Sequence, residues 1–348
     1  MGDFRDNIRK VIPYVPGEQP KQSNVIKLNT NENPYPPSPK VAEALANIKN
    51  LRLYPDPAAS KLVNTIAAYK GVDSDQVFVG VGSDDVLAMS FLTFFNSDKP
   101  IFFPDITYSF YDVWADLFRI PYKTRPLDED FMIDPSDYYW DNGGVVFPNP
   151  NAPTGVLMEL DQIRDIVSHN QEVVVIVDEA YIDFGGVTAQ SLLDEFDNLL
   201  IVQTFSKSRS MAGMRIGYAL GSKELIKALN DVKYSFNSYT MNTPSIVLGS
   251  AAIEDEEYFQ KTRAKIVETR EWFKGEIKKL GFSFPDSQSN FIFATHESVP
   301  AKKIFDAARE HDIYVRYFDK PRIDNYLRIT IGTREQMEAF LKFLKNFI

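Results

Sequence analysis

Short apolar runs alternate with helix-length segments between about residue 40 and residue 255. The runs are rich in valine, isoleucine and phenylalanine, and they lie at 76–82, 100–105, 145–150, 172–180, 199–207 and 216–221. Such near-continuous runs are typical of strands buried on both faces of a sheet, and helices between them favour parallel strand pairs. The pattern therefore predicts an α/β fold whose central sheet is parallel or mostly parallel.

Helix boundaries can be predicted in the same region. The segment 39-PKVAEALANI has proline in its first turn, and 60-SKLVNTIAAYKG has Ser60 as its predicted cap and Gly71 as its predicted end. The turn 80-GVGSDD leads from the first strand into another helix. The first forty residues differ, because prolines such as those in 29-NTNENPYPPSP block helix and sheet alike and predict an extended arm.

The pattern changes beyond about residue 255. A long charged helix starts at residue 257, and shorter helix and strand patterns follow at 289–295, 301–318, 326–332 and 334–347. This mixture predicts a smaller α+β domain at the C-terminal end. We therefore expect an N-terminal arm over 1–35, a large domain over 36–255 and a small domain over 256–348.

Composition and charge exclude several classes of function. The hydrophobic share of 44% and the charged share of 25% are ordinary for a globular chain of 348 residues. There is no cysteine, so disulfides and thiolate–zinc sites are excluded, and the chain suits a reducing cytoplasm. The net charge of −10 gives no electrostatic footprint for nucleic acid. No apolar run resembles a secretory signal or reaches the length of a membrane span, so we expect a cytoplasmic protein.

Polar residues follow several of the predicted strands. Asp178 ends one strand, with Tyr181 three residues further on, and Lys207 follows the next strand, with Arg215 eight residues beyond it. Taken singly, such an aspartate is more often a turn residue and such a lysine is more often solvated. Because sites in parallel sheets lie beyond the carboxyl ends of the strands, we expect these groups to converge.

This combination of groups matches the needs of pyridoxal phosphate. The cofactor requires a lysine for its Schiff base, an acid beside its pyridinium nitrogen and an anion site for its phosphate. The turn 80-GVGSDD lacks the third glycine of a dinucleotide fingerprint, but the amides at a helix start favour a phosphate. A lysine released from the cofactor is also placed to move the substrate's Cα proton.

Three segments resemble the signatures of fold-type I aminotransferases. They are 149-NPNAPTG, 178-DEAY and 204-TFSKSRSMAGMRIGY, in the order that the family has. The segments 13-PY, 29-NTNENP, 54-YPD and 328-RITIGTREQ resemble the histidinol-phosphate group of that family, and the resemblance covers essentially the whole chain. It implies a large domain with a mostly parallel central sheet, a smaller α+β domain and a pyridoxal phosphate cofactor.

The resemblance also implies roles for individual residues. Lys207 matches the Schiff-base lysine, Asp178 the partner of the pyridinium nitrogen, and Tyr181 the phenol bound to the cofactor's 3-oxygen. The family's phosphate ligands match Thr204, Ser206, Arg215, Ser83 and Asp84. Its stacking aromatic residue matches Tyr108, and Tyr54 matches a phosphate contact that the other subunit of an obligate homodimer supplies. The usual second asparagine of the 149–155 signature is Ala152 here, which leaves open whether Asn151 or a water makes that cofactor contact.

The implied substrates are L-histidinol phosphate and 2-oxoglutarate, which would give imidazole acetol phosphate and glutamate in histidine biosynthesis. Arg328 matches the arginine that binds a carboxylate in most of the family, and Arg316 and Tyr14 match extra donors for a phosphate. An aromatic amino-acid aminotransferase and a phosphothreonine decarboxylase on the same scaffold stay open as alternatives. A DNA-binding regulator is disfavoured because no basic extension is present.

Overall fold

The computed structural model describes residues 3–22 and 24–348. Within these residues the strands form sheets of seven, four and two strands. In chain order the strands are β1 Ile26–Lys27, β2 Val77–Gly80, β3 Ile101–Pro104, β4 Tyr122–Arg125, β5 Val145–Pro148, β6 Val175–Asp178, β7 Leu199–Thr204, β8 Gly217–Gly221, β9 Phe282–Ser283, β10 Phe291–His296, β11 Ile313–Tyr314, β12 Arg316–Tyr317 and β13 Leu327–Thr330.

Helices cover the large sheet and build most of the C-terminal region. In chain order the α-helices are α1 Pro39–Ala46, α2 Ser60–Lys70, α3 Ser83–Phe94, α4 Tyr111–Phe118, α5 Leu160–Ser168, α6 Lys223–Phe236, α7 Thr243–Ile253, α8 Glu256–Lys278, α9 Ala301–Glu310 and α10 Arg334–Phe347. Short 3-10 helices lie at Phe4–Asn7, Ser74–Gln76, Pro135–Tyr138, Ile182–Phe184, Ala189–Asp194 and Ala212–Met214. Among the described residues, no helix is both long and apolar enough to cross a membrane.

The seven-stranded sheet has the order β2-β8-β7-β6-β5-β3-β4. Only β8 runs antiparallel to its neighbours, and the other strand pairs are parallel. The prediction of a mostly parallel α/β sheet is therefore confirmed. The pattern missed β4, because its residues YKTR lie at the sheet edge, are mostly exposed and carry no apolar run.

Two local predictions at the N-terminal end need correction. Ser60 is the first residue of α2 and not its cap; the Asp56 carboxylate instead accepts from the Ser60 amide at 2.7 Å. Gly71 ends the helix with a φ of +69°, as predicted, because glycine adopts that conformation without a side-chain clash. The arm is not wholly unpaired either, since Ile26 and Lys27 form β1 beside β11.

The C-terminal region has its own antiparallel sheet, of order β12-β13-β10-β9, and its own apolar core. That core includes Leu28 from the N-terminal segment, so the chain's beginning packs on its end. The predicted arm over 1–35 includes residues 1, 2 and 23, which lie outside the described residues. The domain bounds at 35/36 and 255/256 stay a prediction, although residue 255 falls between α7 and α8.

Candidate active site

Two adjoining cavities lie at the carboxyl ends of β6 and β7. The inner cavity, of about 220 Å³, is lined by Thr30, Glu32, Ser83, Asp84, Tyr108, Pro148, Ala152, Asp178, Ala180, Tyr181, Ser206, Lys207, Ala212 and Arg215. The outer cavity, of about 450 Å³, shares seven of these residues and adds Tyr14, Pro16, Gly17, Gln19, Asn29, Asn31, Thr107, Ser109, Phe110, Pro153, Arg316, Phe318 and Arg328. Most of the predicted site residues therefore meet in one continuous space.

A larger cavity of about 720 Å³ opens elsewhere on the molecule. Its lining includes Glu129, Asp130, Glu159 and Asp286, and it contains none of the predicted site residues. Four acidic side chains would repel the anionic substrate that the sequence implies. The inner and outer cavities are therefore the candidate active site, although they are smaller.

Asp178 forms the floor of the inner cavity. It is the last residue of β6 and is only 4% exposed. Its Oδ2 accepts from the Tyr111 hydroxyl at 3.0 Å, and its Oδ1 accepts from the Ala180 amide at 3.2 Å. Burial raises the pKa of Asp178 to about 7, while these two hydrogen bonds act in the opposite direction. A group that brings a proton from the cavity would therefore be a favourable partner for this carboxylate.

Lys207 enters the cavity from the loop after β7. Its Nζ donates to the Thr30 carbonyl at 3.3 Å and lies 5.6 Å from the centroid of the Tyr181 ring. The Asn33 amide donates to the carbonyl oxygens of Lys207 and Ser208, at 3.1 Å each. The N-terminal segment thus holds the backbone from which the lysine projects.

Tyr181 follows Asp178 and is held by a second residue of the same N-terminal segment. The Asn31 side-chain amide donates to the Tyr181 hydroxyl at 2.9 Å. Asn31 in turn is bound by Thr330, whose hydroxyl donates to it at 2.9 Å. The C-terminal sheet therefore fixes the phenol through an intermediate asparagine.

The start of α3 forms an anion site beside Arg215. Gly82 has a φ of +86°, and a Cβ there would lie 2.5 Å from Arg215 Nη2. A Cβ on Gly217 would lie 2.3 Å from the Ser83 amide nitrogen. Glycine at both positions is what allows the guanidinium and the helix start to approach. Because the first amides of a helix have no intrahelical partner, this approach concentrates donors at one point.

Asp84 lies within this anion site and adds a carboxylate, which is itself negatively charged. Its carboxylate accepts from Arg215 at 2.9 Å and from the Tyr108 hydroxyl at 2.7 Å. The carboxylate therefore uses Arg215 Nη2, and within Asp84 only the backbone amide is available to bind an anion. Arg215 also approaches the Ser206 hydroxyl at 3.4 Å.

The donor set fits pyridoxal phosphate. The α3 amides, Ser206 and Arg215 suit its phosphate, Asp178 suits its ring nitrogen, and Lys207 suits its aldehyde carbon. All five features line the same inner cavity. The fit rests on the chemistry of these groups and on their common enclosure.

Arg316 and Arg328 form the outer end of the site. They are directly opposite each other on the antiparallel strands β12 and β13. Arg328 Nη2 donates to the Asn29 carbonyl at 2.9 Å, while its Nε is buried without a partner among the described residues. Burial and, to a smaller degree, nearby Arg316 lower the pKa of Arg328, with neighbouring tyrosines acting against them. Like charges facing across strands are unfavourable, so this pair is arranged to receive an anion.

Some predicted residues are not in the cavity. Tyr54 is 82% exposed and stacks on Tyr239 with ring centroids 4.6 Å apart. Asn151 is buried, and its side chain bonds the Ile106 carbonyl and the Thr107 and Thr154 hydroxyls. Ala152, not Asn151, lines the cavity.

Thr204 also lies behind the lining. Its hydroxyl donates to the Ile216 carbonyl at 3.3 Å and accepts from the Ser206 amide at 3.1 Å. Thr204 therefore shapes the loop that presents Ser206. Tyr14, by contrast, lines the outer cavity and stacks on Phe110 with centroids 4.1 Å apart.

Sequence reasoning missed the supporting residues. Tyr111 bonds Asp178, Asn31 bonds Tyr181, and Asn33 bonds the lysine backbone. Two of these lie in 29-NTNENP, where the sequence indicates only an extended arm and a resemblance to a family segment. The signal that could have found them is the cluster of side-chain amides in a proline-rich stretch, where no helix or strand would use them.

Comparison with known proteins agrees with this geometry. The profile of the family Aminotransferase class I and II matches residues 23–344. The chain is 53% identical to a histidinol-phosphate aminotransferase of Clostridium botulinum (strain Okra / Type B1), over 100% of this chain and 99% of the relative. It is 50% identical to the enzyme of that name from Lactococcus lactis subsp. cremoris, over 99% of this chain and 98% of the relative.

A solved structure has the same fold. The histidinol-phosphate aminotransferase from Sinorhizobium meliloti, in complex with pyridoxal-5'-phosphate, superposes with a TM-score of 0.84 at 20% identity, covering 92% of this chain and 91% of that one. The chain belongs to the class I and II aminotransferase family, and its fold is that of a fold-type I aminotransferase. The resemblance to the histidinol-phosphate group is confirmed by the relatives at 50–53% identity.

Proposed function

We propose that the protein transfers the amino group of L-histidinol phosphate to 2-oxoglutarate, giving imidazole acetol phosphate and glutamate, in histidine biosynthesis in the cytoplasm. The observation that carries this proposal is the facing pair Arg316 and Arg328, which lines the same cavity as Lys207. Two guanidinium groups suit a phosphate dianion better than a single carboxylate. The relatives that bear this name at 50–53% identity support the same substrate.

The cofactor of the reaction is pyridoxal phosphate, which when bound acts as an electron sink for the negative charge that develops at the substrate's Cα. Lys207 would bind its aldehyde carbon, Asp178 its ring nitrogen and Tyr181 its 3-oxygen. Ser206, Arg215 and the α3 amides would hold its phosphate, and the Tyr108 ring would lie against its face.

Lys207 is also the group that moves the Cα proton. The only hydrogen bond of the Lys207 Nζ within the described residues is the 3.3 Å contact with the Thr30 carbonyl, which leaves the amine free to turn towards a substrate. A positioned amine that takes and returns a proton in this way is a general base and then a general acid. Asn33 supports this step because it holds the Lys207 backbone in place.

The N-terminal arm orients the substrate and limits its access to water. Tyr14, Pro16, Gly17 and Gln19 line the outer cavity. The Glu18 carbonyl accepts from Asn29, and the Glu18 carboxylate pairs with Arg309 at 2.7 Å. These contacts tie the arm to the C-terminal region beside the arginine pair.

Exposed apolar side chains support a homodimer with shared active sites. Leu51, Tyr54, Phe236 and Tyr239 are between 45% and 82% exposed, and Tyr54 stacks on Tyr239. Exposed aromatic side chains of this kind are enriched at protein interfaces. We infer that Tyr54 contacts the cofactor phosphate of a second copy.

Subunit complementation tests the shared site. The variants Lys207→Ala and Tyr54→Ala should each be nearly inactive alone. A mixed dimer would contain one intact site, so co-refolded equimolar mixtures should recover about a quarter of wild-type activity. No recovery above the sum of the two variants, in mixtures shown to exchange subunits, would contradict a shared site.

A second candidate function is aromatic amino-acid transamination. Tyr14 stacks on Phe110, which stacks on Trp114 with centroids 4.9 Å apart, so one wall of the outer cavity is aromatic. Such a wall could receive either an imidazole or a phenyl ring. The arginine pair separates the two functions, because phenylalanine has no dianion to place there.

The substrate assay is direct. Purified protein with pyridoxal phosphate is given 2-oxoglutarate and either L-histidinol phosphate or L-phenylalanine, and glutamate formation is measured. The proposal expects a kcat/KM that is much higher for L-histidinol phosphate. A higher value for L-phenylalanine would favour the second function, and release of carbon dioxide from O-phospho-L-threonine, given in a separate reaction, would favour a decarboxylase.

A further inference from the structure

Tyr111 forms a hydrogen bond to Asp178 that has no assigned role in the proposed reaction. It is the first residue of α4 and is fully buried. Its ring packs against Phe91, Phe103 and Trp114 at centroid distances of 6.1, 5.8 and 6.3 Å. From this fixed position its hydroxyl donates to Asp178 Oδ2 at 3.0 Å.

We propose that Tyr111 is a positioning residue that fixes the Asp178 carboxylate at the floor of the inner cavity and favours its ionised form through the hydrogen bond from its hydroxyl. The proposal rests on the proposed function in one respect, because the partner of that carboxylate is the cofactor's ring nitrogen. Tyr111 itself touches neither the substrate nor the cofactor. It acts only through Asp178.

The surroundings of Asp178 otherwise oppose its negative charge. Burial is the largest effect, and the nearby carboxylates of Asp84 and Glu179 add repulsion in the same direction. The titratable groups that face Asp178 or share its cavity are the following: Tyr111 from α4, Asp84 from α3, Glu32 from the N-terminal segment, Tyr108, Glu179, Tyr181, and the cations Lys207 and Arg215. Against burial and repulsion stand two direct hydrogen bonds to the carboxylate, from Tyr111 and from the Ala180 amide.

Glu179 has separate partners. It accepts from the Thr188 hydroxyl, the Ala189 amide and the Gln203 side chain, each at 2.6 Å. The two neighbouring acids are therefore held by different groups. Of the two donors to Asp178, only the Tyr111 hydroxyl can be deleted by a side-chain substitution.

Tyr111 also remains a donor across the working pH range. Burial, and then the nearby Asp178 charge, raise the pKa of Tyr111 well above its usual value. A phenol that stays protonated donates to the ionised carboxylate and so favours that form. Its removal should make Asp178 easier to protonate.

The chain offers a matched control for this deletion. Tyr138 is also buried, at 1% exposure, and its ring packs against Phe147 at a centroid distance of 6.3 Å. Its hydroxyl has no hydrogen-bond partner among the described residues. Tyr111→Phe and Tyr138→Phe remove the same atom from buried rings. Only the first removes a bond to Asp178.

The first test is a titration of Asp178 in the cofactor-free full-length chain. Aspartate labelled with ¹³C at Cγ is followed by NMR, and Asp178→Asn identifies the signal. Tyr111→Phe should raise the midpoint by about one pH unit, a tenfold gain in proton affinity, because a hydrogen bond to the charged form is lost. Tyr138→Phe should leave the midpoint unchanged. An unchanged midpoint in folded Tyr111→Phe would overturn the proposal.

The second test uses pyridoxal phosphate itself as the probe. If the cofactor brings the proton of its ring nitrogen into the site, affinity is level above the Asp178 pKa and falls below it, because a protonated Asp178 must then release its proton on binding. Tyr111→Phe should move the start of that fall to higher pH by the interval seen by NMR. The same profile in wild type and Tyr111→Phe would contradict the proposal. Failure of wild-type protein to bind the cofactor would instead overturn the proposed function, and the NMR titration would still decide the role of Tyr111.

Discussion

Removal of Arg316 should lower activity without lowering stability. Arg316 and Arg328 face each other across β12 and β13, and directly opposed like charges cost about 0.2–1 kcal/mol. Arg316→Ala should therefore leave the free protein as stable as wild type or more stable by up to about 1 kcal/mol. A role limited to packing would predict a loss of stability.

The same substitution should lower kcat/KM for the phosphate-bearing substrate. A hydrogen bond to a charged group contributes about 1.5–3 kcal/mol, which corresponds to about a 10- to 150-fold loss in kcat/KM for L-histidinol phosphate. L-Phenylalanine, which carries no phosphate, should lose much less.

The assay pairs urea unfolding with steady-state kinetics on both amino donors. Arg164→Ala serves as a control, because Arg164 is a surface arginine that pairs with Asp161 and Glu195 away from the cavity. It should change neither substrate preference nor kcat/KM. Equal losses on both donors in Arg316→Ala would refute the phosphate role, and a clear loss of stability would refute the repulsion between the arginines.

Three further substitutions test other parts of the site. Lys207→Ala should abolish turnover while the cofactor is still bound noncovalently; substantial activity in a glutamate assay would contradict the assignment. Asp178→Ala should reduce kcat by several orders of magnitude, because the ring nitrogen loses its partner; a near-normal rate would mean that another acid takes this role. Arg322→Ala should lower the free energy of unfolding by about 1 kcal/mol, because the partly exposed Arg322, in the C-terminal region, bonds Asp105 and two carbonyls of the large-sheet region. Unchanged urea midpoints would show that these bonds contribute nothing to stability.

The fold was largely predictable from apolar patterning, because buried strands leave long apolar runs. The runs that became β6 and β7 are examples, since each of their residues is buried. The β4 strand carries no such run, and only its pairing with β3 makes it a strand. Its backbone partners are distant in the sequence, so a local hydrophobic pattern cannot predict this pairing.

The chemical groups of the site were predictable for a related reason. Asp178 and Lys207 interrupt or follow apolar runs, where a polar residue is costly unless it has a function. The supporting groups were not predictable, because the role of each depends on which residues the fold places beside it. Tyr111 resembles any core tyrosine in the sequence, and only the fold brings its hydroxyl to Asp178.

Ala152 illustrates a further limit. The resemblance left open whether Asn151 or a water replaces the usual asparagine contact. The hydrogen bonds of Asn151 to Ile106, Thr107 and Thr154 use both ends of its side chain inside the loop. Its assignment to the cofactor stays a prediction that these bonds disfavour.

A single half-reaction tests the proposed cofactor and the proposed substrate together. Purified protein loaded with pyridoxal phosphate is mixed with L-histidinol phosphate alone, and separately with L-phenylalanine alone, while the cofactor's visible absorbance is followed. An aminotransferase that prefers L-histidinol phosphate should lose the visible band fast with L-histidinol phosphate and slowly with L-phenylalanine. A faster loss with L-phenylalanine, or no visible band after the cofactor is added, would contradict the proposed function.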